Sequence, residues 1–265
     1  MGVPGGWPAG LVLVRHGESV GNVAEARARA GRSEVVDVGE RDADVPLSAL
    51  GRRQARAVGR WLVHDAAAPP LPDVVVTSPY RRARATAEAV VAELREAGRD
   101  PGRLRTDERL RERDLGWWDG LTGAGVRARY PEEAARREHL GKLYYRPPGG
   151  ESWCDVALRL RSLLRDLRAE HAGRHVLLVS HQAVVMNARM VLEDLDEEEV
   201  LRLDREEPLA NCSVTAYRAG PDGPVLDVAG DTTAVADVAD LAVTDDEVDD
   251  EPDDAPAGGG AGVAR

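Results

Sequence analysis

Phenylalanine is absent from the 265-residue chain, lysine occurs once, at Lys142, and there are only two cysteines, Cys154 and Cys212. Each shortage excludes something. The two cysteines fit no metal-ligand spacing and no disulfide framework. The missing Phe and scarce Lys, set against abundant Ala, Gly, Val and Arg, look like codon bias, so an arginine here is the default cation. No apolar run approaches the ~18–20 residues of a membrane span, and Met1 to Gly10 lacks the basic and apolar regions of a secretory signal. These absences predict a soluble, cytoplasmic protein without membrane contact. No Gly-x-x-x-x-Gly-Lys-Ser/Thr loop is present either, which argues against a nucleotide kinase.

Charge is plentiful but unevenly placed. The formal net charge is −12, and residues 222–265 carry all of it, with 13 Asp or Glu against one basic residue, Arg265. The rest of the chain is neutral and shows no bulk preference for nucleic acid or an anionic membrane. The expected division is a catalytic domain over residues 1–230 and an acidic tail over 231–265, whose composition predicts disorder.

Leu11–Val14, Asp73–Thr77 and His175–Ser180 are short continuous apolar runs, the pattern of strands buried on both faces. Helical spacing fills the intervals: Leu47–His64, Arg81–Glu96, Ser152–His171 and Ala183–Leu192. Val214–Tyr217 and Val225–Val228 resemble closing strands. Alternation of this kind predicts an α/β protein, a three-layer α/β/α sandwich around a mostly parallel sheet. A polar, helical insertion at about residues 121–150 interrupts it and is read as a lid.

Chemistry-bearing residues follow the three apolar strands. Arg15-His16-Gly17-Glu18 follows the first, Ser78-Pro79-Tyr80-Arg81-Arg82 the second, and His181-Gln182 the third. In open α/β sheets the carboxyl ends of strands face the ligand crevice. Two imidazoles and at least two guanidinium groups are therefore expected to converge there. Guanidinium forks bind phosphate oxygens and keep their charge, and a neutral imidazole beside them can attack phosphorus. Phosphoryl transfer is largely positioning plus charge stabilisation, so this set needs no metal or cofactor. The other histidines, His64, His139, His171 and His175, are read as structural.

These residues carry a family resemblance. The Leu-Val-Arg-His-Gly-Glu-Ser run with Asn22, Leu47-Ser48 with Gly51 and Gln54, and Ser78-Pro79-Tyr80-Arg81-Arg82-Ala83 resemble the histidine phosphatase (phosphoglycerate mutase-like) superfamily. Leu110-Arg111-Glu112, Gly149-Gly150-Glu151-Ser152, Ser180-His181 and Asn211-Cys212-Ser213 continue the match in family order. The resemblance implies His16 as nucleophile, Arg15, Arg82 and His181 around the phosphoryl group, and Glu112 as general acid. It makes Ser19, Asn22 and Gln182 candidate substrate contacts.

Within the superfamily, the lid and the residues after His181 are most similar to the fructose-2,6-bisphosphatase domain. That likeness implies Tyr130, Arg137, Lys142 and Gln182 as sugar-phosphate contacts. Two positions depart from it: Pro147 replaces a substrate-contacting tyrosine, and Met186 replaces an arginine, with Arg189 three residues on. The expected function is a phosphomonoester hydrolase working through phosphohistidine on a small phosphorylated metabolite such as a sugar phosphate. The alternative is a phosphoglycerate mutase, against which stands the short interval between Glu112 and Gly150.

Overall fold

A computed structural model describes residues 6–238, and most of the acidic tail lies outside them. Its sheet has six strands in the order β3-β2-β4-β1-β5-β6. They are β1 (Gly10–Arg15), β2 (Val74–Thr77), β3 (Arg105–Thr106), β4 (His175–Ser180), β5 (Val214–Ala219) and β6 (Pro224–Asp231). The first four in that spatial order pair in parallel, and β5 and β6 add antiparallel at the β1 side.

The continuous apolar runs are explained by two separate cores. Side chains alternate across a strand, so Leu11 and Leu13 face a core built on Trp153, Leu160 and Leu164 of α6 (Trp153–Glu170) and Val184 of α7 (Gln182–Leu192). Val12 and Val14 face the opposite core, where α2 (Ala49–His64) supplies Val58 and Trp61 and α3 (Arg81–Glu96) supplies Val90 and Leu94. Three layers follow directly. α1 (Val20–Ala30) and α8 (Glu197–Glu206) complete the main body.

The expected insertion folds as α4 (Gly123–Arg129) and α5 (Pro131–Tyr144), with α5 broken at Gly141 (φ 79°). It has its own small core of Trp118, Val126 and Tyr145. Trp118 stacks on Tyr145 with ring centroids 4.9 Å apart. The packed unit therefore starts a few residues before position 121. The composition-based boundary at 230 also moves. β6 runs to Asp231, and Val235, on a 3-10 turn at Thr233–Val235, is fully buried in the α2/α3 core. One buried valine outweighs a polar local composition.

The lid joins α6 through a capping box. Ser152 Oγ accepts from the Asp155 N–H at 3.2 Å, and Asp155 Oδ2 accepts from the Ser152 N–H at 2.8 Å. Arg146, at the end of the lid, donates from Nε to the same Oδ2 at 2.7 Å. Burial pushes the Asp155 carboxyl up, but the Arg146 and Ser152 hydrogen bonds outweigh it and hold the group at about 2. Its folded value lies below its unfolded one, so its stabilisation is present above about pH 4 and fades as pH falls toward 2. Ser152→Ala should cost ~1 kcal/mol, a Tm loss of about 2–4 °C by scanning fluorimetry. Asp155→Asn should narrow the gap in Tm between about pH 6 and pH 2; an unchanged gap would refute that contribution.

Candidate active site

Parallel pairing brings the three motifs to one level. Arg15 pairs with Ser180 across β1 and β4, and Thr77 pairs with Val179 across β2 and β4. The His16 N–H donates to the Ser180 carbonyl at 2.9 Å, and the Ser78 N–H donates to the Val179 carbonyl at 3.0 Å. The chain then leaves all three strands together, and α1, α3 and α7 begin within five residues of those ends. Their N-termini, at the positive end of the helix dipole, favour an anion there.

His16 is fully buried. Its Nδ1 lies 2.8 Å from the Gly17 carbonyl oxygen. A carbonyl can only accept, so Nδ1 carries the proton and Nε2 holds the lone pair. Arg82 Nε donates to that Nε2 at 3.2 Å, as the tautomer requires. Backbone crowding sets the turn: a Cβ on Gly51 would lie 2.0 Å from the Glu18 carbonyl oxygen, and one on Gly17 2.5 Å from the Gly51 oxygen. The two glycines let α2 touch the loop. Around it, Gln54 Oε1 accepts from the Glu18 N–H and Thr86 Oγ1 from the Gly17 N–H.

Arg15 and His181 are also fully buried. The His16 and His181 rings meet edge to face, centroids 5.1 Å apart. His181 Nε2 lies 2.8 Å from Ser78 Oγ, and its Nδ1 lies 3.9 Å from Glu112 Oε2. Both ring nitrogens thus face oxygens, with only that of Ser78 at hydrogen-bond distance. Arg15 Nη1 donates to the Leu209 carbonyl.

Glu112 arrives from an irregular segment beyond β3, so many bonds fix it. Its Oε1 accepts from the Arg113 N–H at 2.8 Å. Arg159 of α6 donates to the Glu112 and Arg109 carbonyls, and Ser180 Oγ donates to the Leu110 carbonyl. Glu151, next to Gly150, receives Arg111 and Arg159. Close packing at Gly116 completes the support, since a Cβ there would lie 2.2 Å from the Pro148 oxygen. The site can therefore offer an imidazole lone pair, the Nε edge of a guanidinium and a carboxyl close together.

The family model described as the histidine phosphatase superfamily (branch 1) matches residues 11–232. The chain belongs to this superfamily. It is 34% identical over 215 residues to a 2,3-bisphosphoglycerate-dependent phosphoglycerate mutase of Gloeobacter violaceus, covering 80% of this chain and 87% of the mutase. It is 32% identical over 184 residues to the glucosyl-3-phosphoglycerate phosphatase of Mycobacterium tuberculosis, covering 66% and 71% of the two chains. The solved complex of a mycobacterial glucosyl-3-phosphoglycerate phosphatase with inorganic phosphate superposes with a TM-score of 0.63 at 30% identity, covering 86% of this chain and 100% of that one. The mixed α/β fold matches these histidine phosphatase structures.

Of the expected site residues, His16, Arg82, His181 and Glu112 come together; Arg15 is buried next to His16 along the chain, and Gln182 lies buried at the start of α7. Other expected contacts are engaged elsewhere. Ser19 and Asn22 form the capping box of α1, and Asn22 Oδ1 also accepts from Asn211, which donates to the His16 carbonyl. They support the His16 loop. Lys142 Nζ pairs with Asp204 of α8 at 2.8 Å and lies over the Trp153 ring. The Arg137 guanidinium lies over Trp118, and the Tyr130 ring neighbours Trp117. Arg189 is held by Glu193 and Glu207, so it does not replace the arginine missing at position 186. Among the histidines read as structural, His171 is buried, and burial holds its imidazole below the ordinary range.

Sequence reasoning missed three residues at the site. Ser78 holds His181. Tyr80 packs its ring edge to face on His181 at 5.2 Å, and burial, with Asp42 and Glu112 nearby, pushes its hydroxyl up to about 12. Asp42 grips Arg82. Asp42 comes from a stretch that no quoted motif includes. A small misplacement of a reacting group can cost up to about 10²-fold in rate, so Ser78→Ala should lower kcat by about ten- to a hundredfold. Near-wild-type kcat on an aryl phosphate would remove Ser78 from this role.

Proposed function

We propose that this chain is a phosphomonoester hydrolase that works through a phosphohistidine on His16. The observation carrying this reading is the pair of contacts at His16, with Nδ1 on the Gly17 carbonyl oxygen and Nε2 facing the Nε edge of Arg82. Nε2 attacks phosphorus and forms the N–P bond as the ester P–O bond breaks. Glu112 gives its proton to the departing oxygen. A water then loses a proton to Glu112 and attacks phosphorus, the N–P bond breaks, and inorganic phosphate leaves. Arg15, Arg82 and His181 hold the phosphoryl oxygens throughout. Charges preorganised in a dry site stabilise the transition state without reorganising at the moment of reaction.

The substrate we infer is a small phosphomonoester such as a sugar phosphate. The glucosyl-3-phosphoglycerate phosphatase relatives support hydrolysis of that class. A fructose-2,6-bisphosphatase specificity has less support, because Lys142 is committed to Asp204 and Arg189 to two glutamates. A substrate with one phosphate asks for no second cation cluster.

Incubation of the wild type with a ³²P-labelled phosphomonoester should leave acid-labile label that His16→Ala lacks, with turnover lost by several orders of magnitude. Glu112→Gln should slow alkyl esters by about 10²–10⁴-fold and aryl esters less. Equal effects on both leaving groups would remove Glu112 from the acid role. The mutase relative supports the second reading, phosphoglycerate mutase. Interconversion of 2- and 3-phosphoglycerate faster than phosphate release would establish that reading over hydrolysis.

A further inference from the structure

Arg82 reaches the nucleophile with one edge and is gripped by the other. Its Nε donates to His16 Nε2 at 3.2 Å. Its Nη1 donates to the Asp42 carbonyl oxygen at 2.6 Å and to Asp42 Oδ1 at 2.8 Å, while Nη2 donates to Asp42 Oδ2 at 3.2 Å. A guanidinium offers an end-on fork from its two terminal nitrogens and a side-on edge that includes Nε. Asp42 takes the end-on fork. The edge left toward His16 is the one that can receive phosphoryl oxygens.

The donor and its clamp differ in exposure. The Arg82 side chain is 4% exposed, whereas that of Asp42 is 39% exposed and sits on the 3-10 turn Asp42–Asp44, outside both cores. An arginine side chain carries ~2 kcal/mol of rotamer entropy. The two carboxylate bonds and the backbone carbonyl bond at the tip of the guanidinium fix its direction.

We propose that Asp42 is a positioning residue: it holds the end-on fork of Arg82 so that the Nε edge stays aimed at the phosphoryl group on His16. This rests on the phosphohistidine reading above. A rival idea makes the Asp42 carboxylate a stand-in for the substrate phosphate, expelled on binding. Two contacts favour positioning. The carbonyl of Asp42 shares the grip, and a side chain swinging away would not release it. Nε, the donor beside the nucleophile, is not among the groups that Asp42 takes.

The test is a double-mutant cycle of Asp42→Ala and Arg82→Ala, read by kcat and KM on p-nitrophenyl phosphate and by vanadate affinity from tryptophan fluorescence. Asp42→Ala should lower kcat and weaken vanadate by about ten- to a hundredfold, the scale of a misplaced catalytic contact. In the Arg82→Ala background it should cost less than about twofold, the signature of action through that side chain. Asp42→Asn, which keeps one side-chain oxygen and the backbone carbonyl, should fall between wild type and Ala. Tighter vanadate binding and higher kcat/KM in Asp42→Ala would overturn the proposal in favour of the stand-in. An equal loss in both backgrounds would overturn it as a structural effect unconnected to Arg82. If the wild type took no acid-labile label, the phosphohistidine reading would fail, yet vanadate affinity across the cycle would still decide the role of Asp42.

Discussion

The parallel register of β2, β4 and β1 is the constraint on which the site depends. Arg15 opposite Ser180 and Thr77 opposite Val179 mean that the three strands end at one height. A slip of one residue in β4 would turn its side chains to the opposite faces and part the two histidine rings, now 5.1 Å apart. Hydrophobic burial enforces the register, because each strand must serve two different cores at once. Catalytic precision here is inherited from packing.

Beyond the strand ends, the scaffold is polar and dense. The His16 loop is held by Gln54, Thr86 and Asn211, each from a different part of the chain. The Glu112 segment has no regular structure of its own and is held by Arg113, Arg159 and the Glu151 carboxylate. Glycine appears where backbones must touch, at Gly17 against Gly51 and at Gly116 against Pro148. Loops carrying reacting groups need such bracing, since a displacement of about 1 Å can cost 10²-fold in rate.

Cations are divided between two tasks. Arg82 faces His16, whereas Lys142 and Arg189, also sheltered, are neutralised by carboxylates of α8, the chain just after α7 and the chain just after α8. Buried charges need partners, because an unpaired one costs several kcal/mol. A cation in a lid is therefore not by itself a substrate ligand. Where the partner is an acidic side chain of the protein, the pair ties elements together.

Most of the fold and the centre of the site were legible in the sequence. The apolar runs identified β1, β2 and β4 because strands buried on both faces have no polar alternation, and helical spacing marked α2, α3, α6 and α7. His16, His181 and Arg82 were legible as candidates because each follows such a strand. Glu112 was not readable from pattern: it stands among many acidic residues on an irregular segment, and only the family motif singled it out. The pairing of Lys142 with Asp204 and the burial of Val235 beyond position 230 were not legible, since the partners of Lys142 and Val235 lie far away along the chain. By itself, then, the sequence determined the strand pattern and the residues that crown it, because short-range periodicity encodes burial. Only the tertiary structure decided which lid cations are already paired and which carboxylate grips Arg82, because those depend on contacts between segments that periodicity does not relate.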